Sequence, residues 1–390
     1  MRGHIVKRSK NKNSWSIKIS LGKDNAGKYR SQWYTVQGSK KDAEKRLSEL
    51  LHQQDTGTYT KPGKQTLGDY LEHWLQDYCQ PNLAPHTVQS YSFFINQHIS
   101  TAIGNIPLTE LKPEHLQNLY SEKLSSGRRD GTGGLGNRSV RYIHTTLHKA
   151  LKHAVRMGMI LRNPADAVES PKVKSHEMRV MSESDLHMFL EYARSTSYYT
   201  LFYTALFTAM RRSELLALRW SDIDLRICQI SVSRTLHQLH NRNIIITQTK
   251  TDKSRRLIAL SPSTTLVLRD HRHHQEVLRQ TIGIPLTNDD LVFCQYDGKP
   301  LLPDSVSHAW HRLAYRTGLK GIRLHDARHT HASLMLKQGI HPKIVQERLG
   351  HASIRTTLDT YSHVAPGLQQ AAAKRFDDIL LPDKATESVQ

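Results

Sequence analysis

Cysteine is scarce: the 390 residues hold three, Cys79, Cys228 and Cys294, far apart and in no CxxC pair. Such usage excludes a disulfide framework and a cysteine-rich zinc site, and it suits a reducing cytosol. Long apolar runs are missing too. No uninterrupted stretch reaches spanning length and none follows Met1 as a signal core, so neither membrane insertion nor secretion is expected. The chain has no HExxH and no internal repeat. Acidic residues are outnumbered, 35 Asp and Glu against 55 Lys and Arg, which leaves a net charge of +20. Such an excess calls for a polyanionic partner, through steering and counterion release. Residues 1–64 carry 15 Lys and Arg against 5 Asp and Glu, so half of the excess sits in a small N-terminal portion.

The length exceeds what one core supports and predicts two or three domains. Trp15, Ile17 and Ile19, then Tyr34 and Val36, alternate with period two, which predicts strands joined by a polar turn. Ser39 followed by Asp42 forms a capping box for a helix striped with Ala43, Leu47, Leu50 and Leu51. Residues 58–65 read as a linker and Thr66 as the next cap. Four amphipathic helices follow: one with Leu67, Tyr70, Leu71, Trp74, Leu75 and Tyr78 on one face, one starting at Pro85, one near Pro113, and one opened by Ser139 and ended by Asn163-Pro164. The segment 127–139 reads as a flexible basic loop, and 171–179 as a basic linker. Ser182 with Asp185 caps the first helix of a last, mostly helical domain. Alternating stretches at 227–235 and 243–260 predict a small antiparallel sheet inside it.

The chemistry concentrates in residues 324–363, LHDARHTHASLMLKQGIHPKIVQERLGHASIRTTLDTYSH. Arg328 is a permanently charged planar fork suited to phosphate oxygens. His325 and His351 can donate a hydrogen bond or move a proton near neutrality. Tyr361 can act as a covalent nucleophile where neighbours stabilise its phenolate. Upstream, TAMRRSELLALRWSDID (208–224) places Arg211 and Glu214 one helical turn apart, and ITQTKTDKSRRLIAL (246–260) carries Lys250 in a turn between alternating stretches. Taken singly, these are an ordinary ion pair and a solvated lysine.

The ordered set Arg211, Lys250, His325-x-x-Arg328, His351 and Tyr361 resembles the tyrosine recombinases, the phage-integrase family. The flanking TKTDKSRR, HDARHTHAS and LGHASIRTTLDTYSH match its motifs as well. Residues 1–57 are similar to its arm-type DNA-binding domain, and 66–168 to its core-binding domain. One departure is Ala209, where the family often has Gly; on a helix the change is tolerated. The resemblance implies a multidomain α+β architecture: a three-stranded sheet plus helix, an all-helical domain, and a mostly helical catalytic domain over 181–382 with a small antiparallel sheet. Linkers at 58–65 and 169–180 and a tail at 383–390 complete the division.

The resemblance further implies that Tyr361 attacks phosphorus and forms a 3′-phosphotyrosyl link. Arg211 and Arg328 clamp the non-bridging oxygens. Lys250 protonates the leaving 5′-oxygen, His325 accepts the tyrosyl proton, and His351 donates to a phosphoryl oxygen. Glu214 supports the site by orienting Arg211 and His325. The covalent link conserves the phosphodiester energy, so no cofactor, metal or ATP is implied. The remaining histidines, His329, His331 and those in 271–274, are assigned to helix packing or exposure. Implied partners are double-stranded DNA with core and arm-type attachment sites, further copies forming a tetramer on two duplexes, an excisionase and a host DNA-bending protein. A helix after Pro366 is expected to dock on a neighbouring protomer, and the location is expected to be cytoplasmic. Two other readings stand beside this one: a type IB topoisomerase-like relaxer, and a regulator that binds specific DNA without catalysis.

Overall fold

A computed structural model describes residues 3–7, 14–23, 27, 29–55, 65–173, 178–239, 243–248 and 255–361, and beyond them 373, 376 and 377. Lys250, most of the 58–65 linker and most of the segment after Pro366 lie outside the described residues. The chain divides into two compact units, Met1–Lys174 and Ser175–Gln390.

The first unit opens with strands β1 (Gly3–Lys7), β2 (Ser14–Lys23) and β3 (Tyr29–Gln37), paired antiparallel in chain order. The register sets Ile17 opposite both Ile5 and Tyr34, so apolar side chains collect on one face. Helix α1 (Lys40–Asp55) covers that face and buries Ile17, Ile19, Ala43 and Leu50. Its start is the capping box expected: Asp42 accepts from the Ser39 N–H at 2.8 Å, and Ser39 Oγ accepts from the Asp42 N–H at 3.3 Å. The other face stays open, with the Lys18 ammonium 5.3 Å from the exposed Trp33 ring.

Thr66 and Asp69 box the start of α2 (Leu67–His73). That helix widens into a π-helical turn, Trp74–Cys79, and ends in α3 (Gln80–Asn82). The second helix does the same: α4 (Pro85–Phe94), a π turn at Ile95–Ile99, then α5 (Ser100–Ile103). With α6 (Pro113–Ser126) and α7 (Asn137–Arg156) they enclose one apolar core around Leu71, Trp74, Ile99, Tyr120, Val140 and Leu147. The fourth helix corrects the expected boundaries. Gly136, in extended backbone, is its cap, and the Ser139 N–H already donates to the Gly136 carbonyl at 2.8 Å. Asn163 does not end it; its side chain caps a separate 3₁₀ turn by accepting from the Ala165 N–H at 3.0 Å. The glycine-rich loop before α7 is tied internally, Arg128 Nε donating to the Gly134 carbonyl at 3.1 Å. Gly134 is required there, since a Cβ would sit 1.6 Å from the Leu124 carbonyl oxygen.

The second unit starts with α8 (Glu183–Ala193), capped by Ser182 and Asp185 as expected, then α9 (Tyr199–Thr208) and α10 (Arg212–Leu215). The expected single small sheet is two. Strands β4 (Ile223–Asp224), β5 (Gln229–Val232) and β8 (Arg256–Ala259) form one, in the order β4-β5-β8. Strands β6 (Arg234–Gln238) and β7 (Ile244–Gln248) form a separate hairpin. Period-two alternation reports strands but not which strands share a ladder. Helices α11 (Pro262–Thr281), α12 (Pro303–Arg316), α13 (Leu324–Lys337), α14 (Pro342–Leu349) and α15 (Ile354–Tyr361) complete the unit. Trp310 anchors its main core, 4.4 Å from the Phe189 ring and 5.1 Å from that of Phe202. Ala209, Ala332, Leu336, Val345, Leu349 and Tyr361 form a second, smaller cluster. Among the described residues no helix is long and apolar enough to cross a membrane.

Candidate active site

The site begins where α9 stops. Ala209 closes that helix in left-handed backbone, φ 55° and ψ 23°, its N–H donating to the Ala205 carbonyl at 3.1 Å. Ala209 therefore sits off the helix, contrary to the expectation, at a position where a side chain costs about 1–2 kcal/mol relative to glycine. The turn delivers Arg211 to the cap of α10 in extended backbone, so Arg211 precedes the helix that carries Glu214. Glu214 Oε2 accepts from the Arg211 N–H and Oε1 from Arg211 Nη1, each at 2.8 Å.

Glu214 also accepts a fork from Arg256, at 3.1 Å from Nη1 and 2.8 Å from Nη2. Among the described residues no hydrogen bond joins Glu214 to His325, which corrects one of its two expected contacts. Only 2% of the Glu214 side chain is exposed. Burial pushes its carboxyl upward, but Arg256 and Arg211 outweigh it and hold the pKa at about 2. Arg256 Nε donates in addition to the Arg348 carbonyl at 2.8 Å. One guanidinium thus ties β8, the Glu214 carboxylate and the end of α14 together. Gly350, at φ 65°, follows immediately; a Cβ there would meet Arg256 Cδ at 2.9 Å.

Helix α13 supplies the next groups. Arg323 and the buried Asp326 fix its start, the Arg323 N–H donating to Asp326 at 2.8 Å. Arg328, 3% exposed, donates Nη1 to the Ala209 carbonyl at 2.8 Å and Nη2 to the Leu349 carbonyl. Burial, then the charges of Arg211 and Arg256, disfavour the Arg328 cation, while Glu214 and Tyr361 oppose them. A guanidinium keeps its proton at any usable pH, so an anion relieves this crowding. Arg211, 37% exposed, faces water from the same cluster, with Nη2 3.5 Å from the Gly350 carbonyl.

The segment after α14 brings His351, whose Nδ1 pairs with Thr357 Oγ1 at 2.9 Å. Burial, then Arg328, Arg211 and Arg256, lower its pKa to about 4. Tyr361 ends α15 with 1% exposure, its ring parallel to that of His351 with centroids 6.5 Å apart. Burial pushes the phenol up to about 12 against the pull of Arg328 and Arg211. Its hydroxyl lies 2.9 Å from His329 Nδ1. His325 remains exposed on α13, its ring edge-on to His329 at 4.9 Å, with surrounding protein and Arg328 lowering its pKa. His331 is structural: Nδ1 meets the Leu206 carbonyl at 2.8 Å, and Arg348 Nε donates to Nε2 at 3.0 Å.

Arg211, Glu214, His325, Arg328, His351 and Tyr361 thus gather in the second unit, and Lys250 lies outside the described residues. Two residues there are not among the expected site residues: Arg256, which the sequence does not mark, and His329, which was assigned to packing or exposure and instead meets the Tyr361 hydroxyl. Both stood inside quoted motifs, SRRLIAL and HDARHTHAS, and only contacts across the fold distinguish them. Among the described residues no group of three or more His, Cys, Asp or Glu is arranged to hold a metal ion.

The sequence profile of the phage integrase family matches residues 178–367, and that of the phage integrase N-terminal SAM-like domain matches residues 66–124. The ICEBs1 integrase of Bacillus subtilis is 30% identical over 304 residues, covering 77% of this chain and 80% of that protein. The chain belongs to the tyrosine recombinase, or phage integrase, family. It is a site-specific recombinase. A tyrosine recombinase XerC-like protein of Caldanaerobacter subterraneus subsp. tengcongensis is 24% identical over 389 residues, 95% of this chain and 97% of its own. The fold is that of the Tn1549 transposon integrase, solved in complex with a circular intermediate DNA. The TM-score is 0.67 at 18% identity, over 80% of this chain and 99% of that one. A lambda integrase dimer bound to a core site aligns over 99% of this chain and 100% of its own, with a TM-score of 0.54 at 17% identity.

Proposed function

We propose that this recombinase is the integrase of a mobile element or phage. It cuts and rejoins double-stranded DNA through a 3′-phosphotyrosyl link at Tyr361. The observation that carries this reading is the setting of the buried Tyr361: Arg328 donates to the carbonyls of Ala209 and Leu349, which share its apolar cluster, and Arg211 reaches the Gly350 carbonyl, so both charges act on the phenol. Their charges favour its phenolate and offer a seat for a phosphate. In this reading Arg211 and Arg328 bind the non-bridging oxygens, and His351 donates to one of them. Glu214 holds Arg211 in place, with Arg256 completing its pairing. His325, at the exposed start of α13, faces the incoming phosphodiester. Lys250 protonates the departing 5′-oxygen. Ligation runs the same steps backwards with a 5′-hydroxyl from the partner strand.

The domain roles follow from the same proposal. Residues 1–57 bind arm-type sites through the open face carrying Lys18 and Trp33, 66–168 bind the core site, and 181–382 hold the chemistry. Four copies assemble on two duplexes, as lambda integrase does in its tetramer bound to a Holliday junction. An excisionase and a host DNA-bending protein are further partners in this reading, and the enzyme works in the cytoplasm on the nucleoid. A duplex nicked beside the scissile phosphate tests the proposal. Wild type accumulates a covalent protein–DNA adduct and Tyr361→Phe does not; specific binding without an adduct refutes it.

A further inference from the structure

We propose that His329 takes the proton from the Tyr361 hydroxyl as the phenol attacks phosphorus, a role that rests on Tyr361 being the nucleophile. His329 Nδ1 stands 2.9 Å from the hydroxyl oxygen, and it is the phenol's hydrogen-bond partner among the described residues. The other two imidazoles are placed for different work. His351 presents its ring face to Tyr361 at 6.5 Å and engages Nδ1 with Thr357. His325, expected from the resemblance to accept the tyrosyl proton, meets His329 edge to face at 4.9 Å and among the described residues has no hydrogen bond to the phenol.

The groups facing His329 set its proton state. On α13 and its cap these are His325, Asp326, Arg328 and Arg323; from beyond it come His351 and Tyr361. Burial, then His325, hold the imidazole at about 4, so it is neutral near pH 7 and has a lone pair to offer. With the phenol near 12, proton transfer ahead of attack is strongly uphill. The transfer therefore accompanies bond formation, and an arriving phosphodiester anion raises the basicity of the imidazole.

The step balances. The Tyr361 O–H bond breaks and its proton goes to His329 Nδ1 while an oxygen–phosphorus bond forms. The phosphorus–O5′ bond breaks, and O5′ takes a proton from the general acid assigned to Lys250. During ligation His329 returns the proton to the Tyr361 oxygen.

The test uses the full chain and a nicked duplex spanning the element's own attachment junction. His329→Ala should slow single-turnover adduct formation by about 10²–10⁴-fold, with DNA binding unchanged. Added imidazole should restore part of the rate. Replacing Tyr361 with 3,5-difluorotyrosine, a more acidic phenol, should shrink the deficit. A rate within about threefold of wild type overturns the proposal, as does a deficit that neither imidazole nor fluorination alters. Should His329→Ala fail to fold, His329→Asn decides. Wild-type adduct formation should fall as acid titrates the imidazole, and the Asn variant should lack that limb; identical profiles overturn the proposal. Tyr361→Phe separates the two levels. If it still forms the adduct the nucleophile reading fails, whereas an inactive Tyr361→Phe beside a normal His329→Ala removes this proposal alone.

Discussion

Two tyrosines of this recombinase are buried to the same degree and make the same hydrogen bond, yet only one of the two has guanidinium charge acting on its phenol. Tyr120, in the helical core of the first unit, lies 3.0 Å from His144 Nδ1; Tyr361, in the second, lies 2.9 Å from His329 Nδ1. Burial alone raises the Tyr120 phenol, and nothing pulls it back. At Tyr361 the same burial is opposed by Arg328 and Arg211. A buried tyrosine on a histidine is therefore an ordinary packing device. What marks a site is uncompensated positive charge beside it, waiting for an anion.

The sharpest break of the comparison removes each hydroxyl. Tyr361→Phe should abolish adduct formation on nicked DNA, whereas Tyr120→Phe should leave its rate within about twofold and cost roughly 1 kcal/mol of stability. Single-turnover gels and urea denaturation read the two effects. Next comes the charge itself. Arg328→Ala should lower the adduct rate by about 10²–10³-fold, the usual worth of one preorganised donor, and should lower stability by leaving the Ala209 and Leu349 carbonyls unpaired. An unchanged rate would make the two tyrosines equivalent.

Arg256→Ala tests what holds the charges apart. It leaves Glu214 buried with one partner lost, and should cost roughly 3 kcal/mol in urea denaturation. The pH dependence follows with its sign. His329, His331 and His351 have folded pKa values near 4, below the ordinary imidazole value of 6.5. The unfolded chain therefore binds their protons first, and stability is lost as pH falls from about 6.5 toward 4. Glu214 adds a further loss between about 4.5 and 2. The urea midpoint followed against pH should show both phases, and Glu214→Gln should flatten only the lower one. The smallest effect belongs to Ala209→Gly. Relief of left-handed backbone, about 1 kcal/mol, is offset by losing a buried methyl worth about 0.8 kcal/mol, so stability should move by less than about 1 kcal/mol.

Local chemistry was readable from the sequence, and contacts across the chain were not. Ser39 with Asp42 and Ser182 with Asp185 cap helices through residues three apart, so their pattern suffices, and Thr66 caps its helix as expected. The apolar stripe of α2 is buried for the same reason. Arg256 pairs with Glu214 across 42 positions, and no spacing rule links them. His329 looked like a packing residue because His325 and Arg328 drew attention on the same helix; only the placement of α15 brings Tyr361 to it. Ala209 misled because a left-handed turn is a property of the fold around it, and alanine carries no signal for one. The expected small sheet split in two because alternation records faces, not partners.

The most direct test of the account is to digest the adduct trapped on nicked DNA and identify the DNA-linked peptide by mass spectrometry. The expected peptide is joined through Tyr361 to a 3′-phosphate. A link at any other residue, or to a 5′-phosphate, would contradict it.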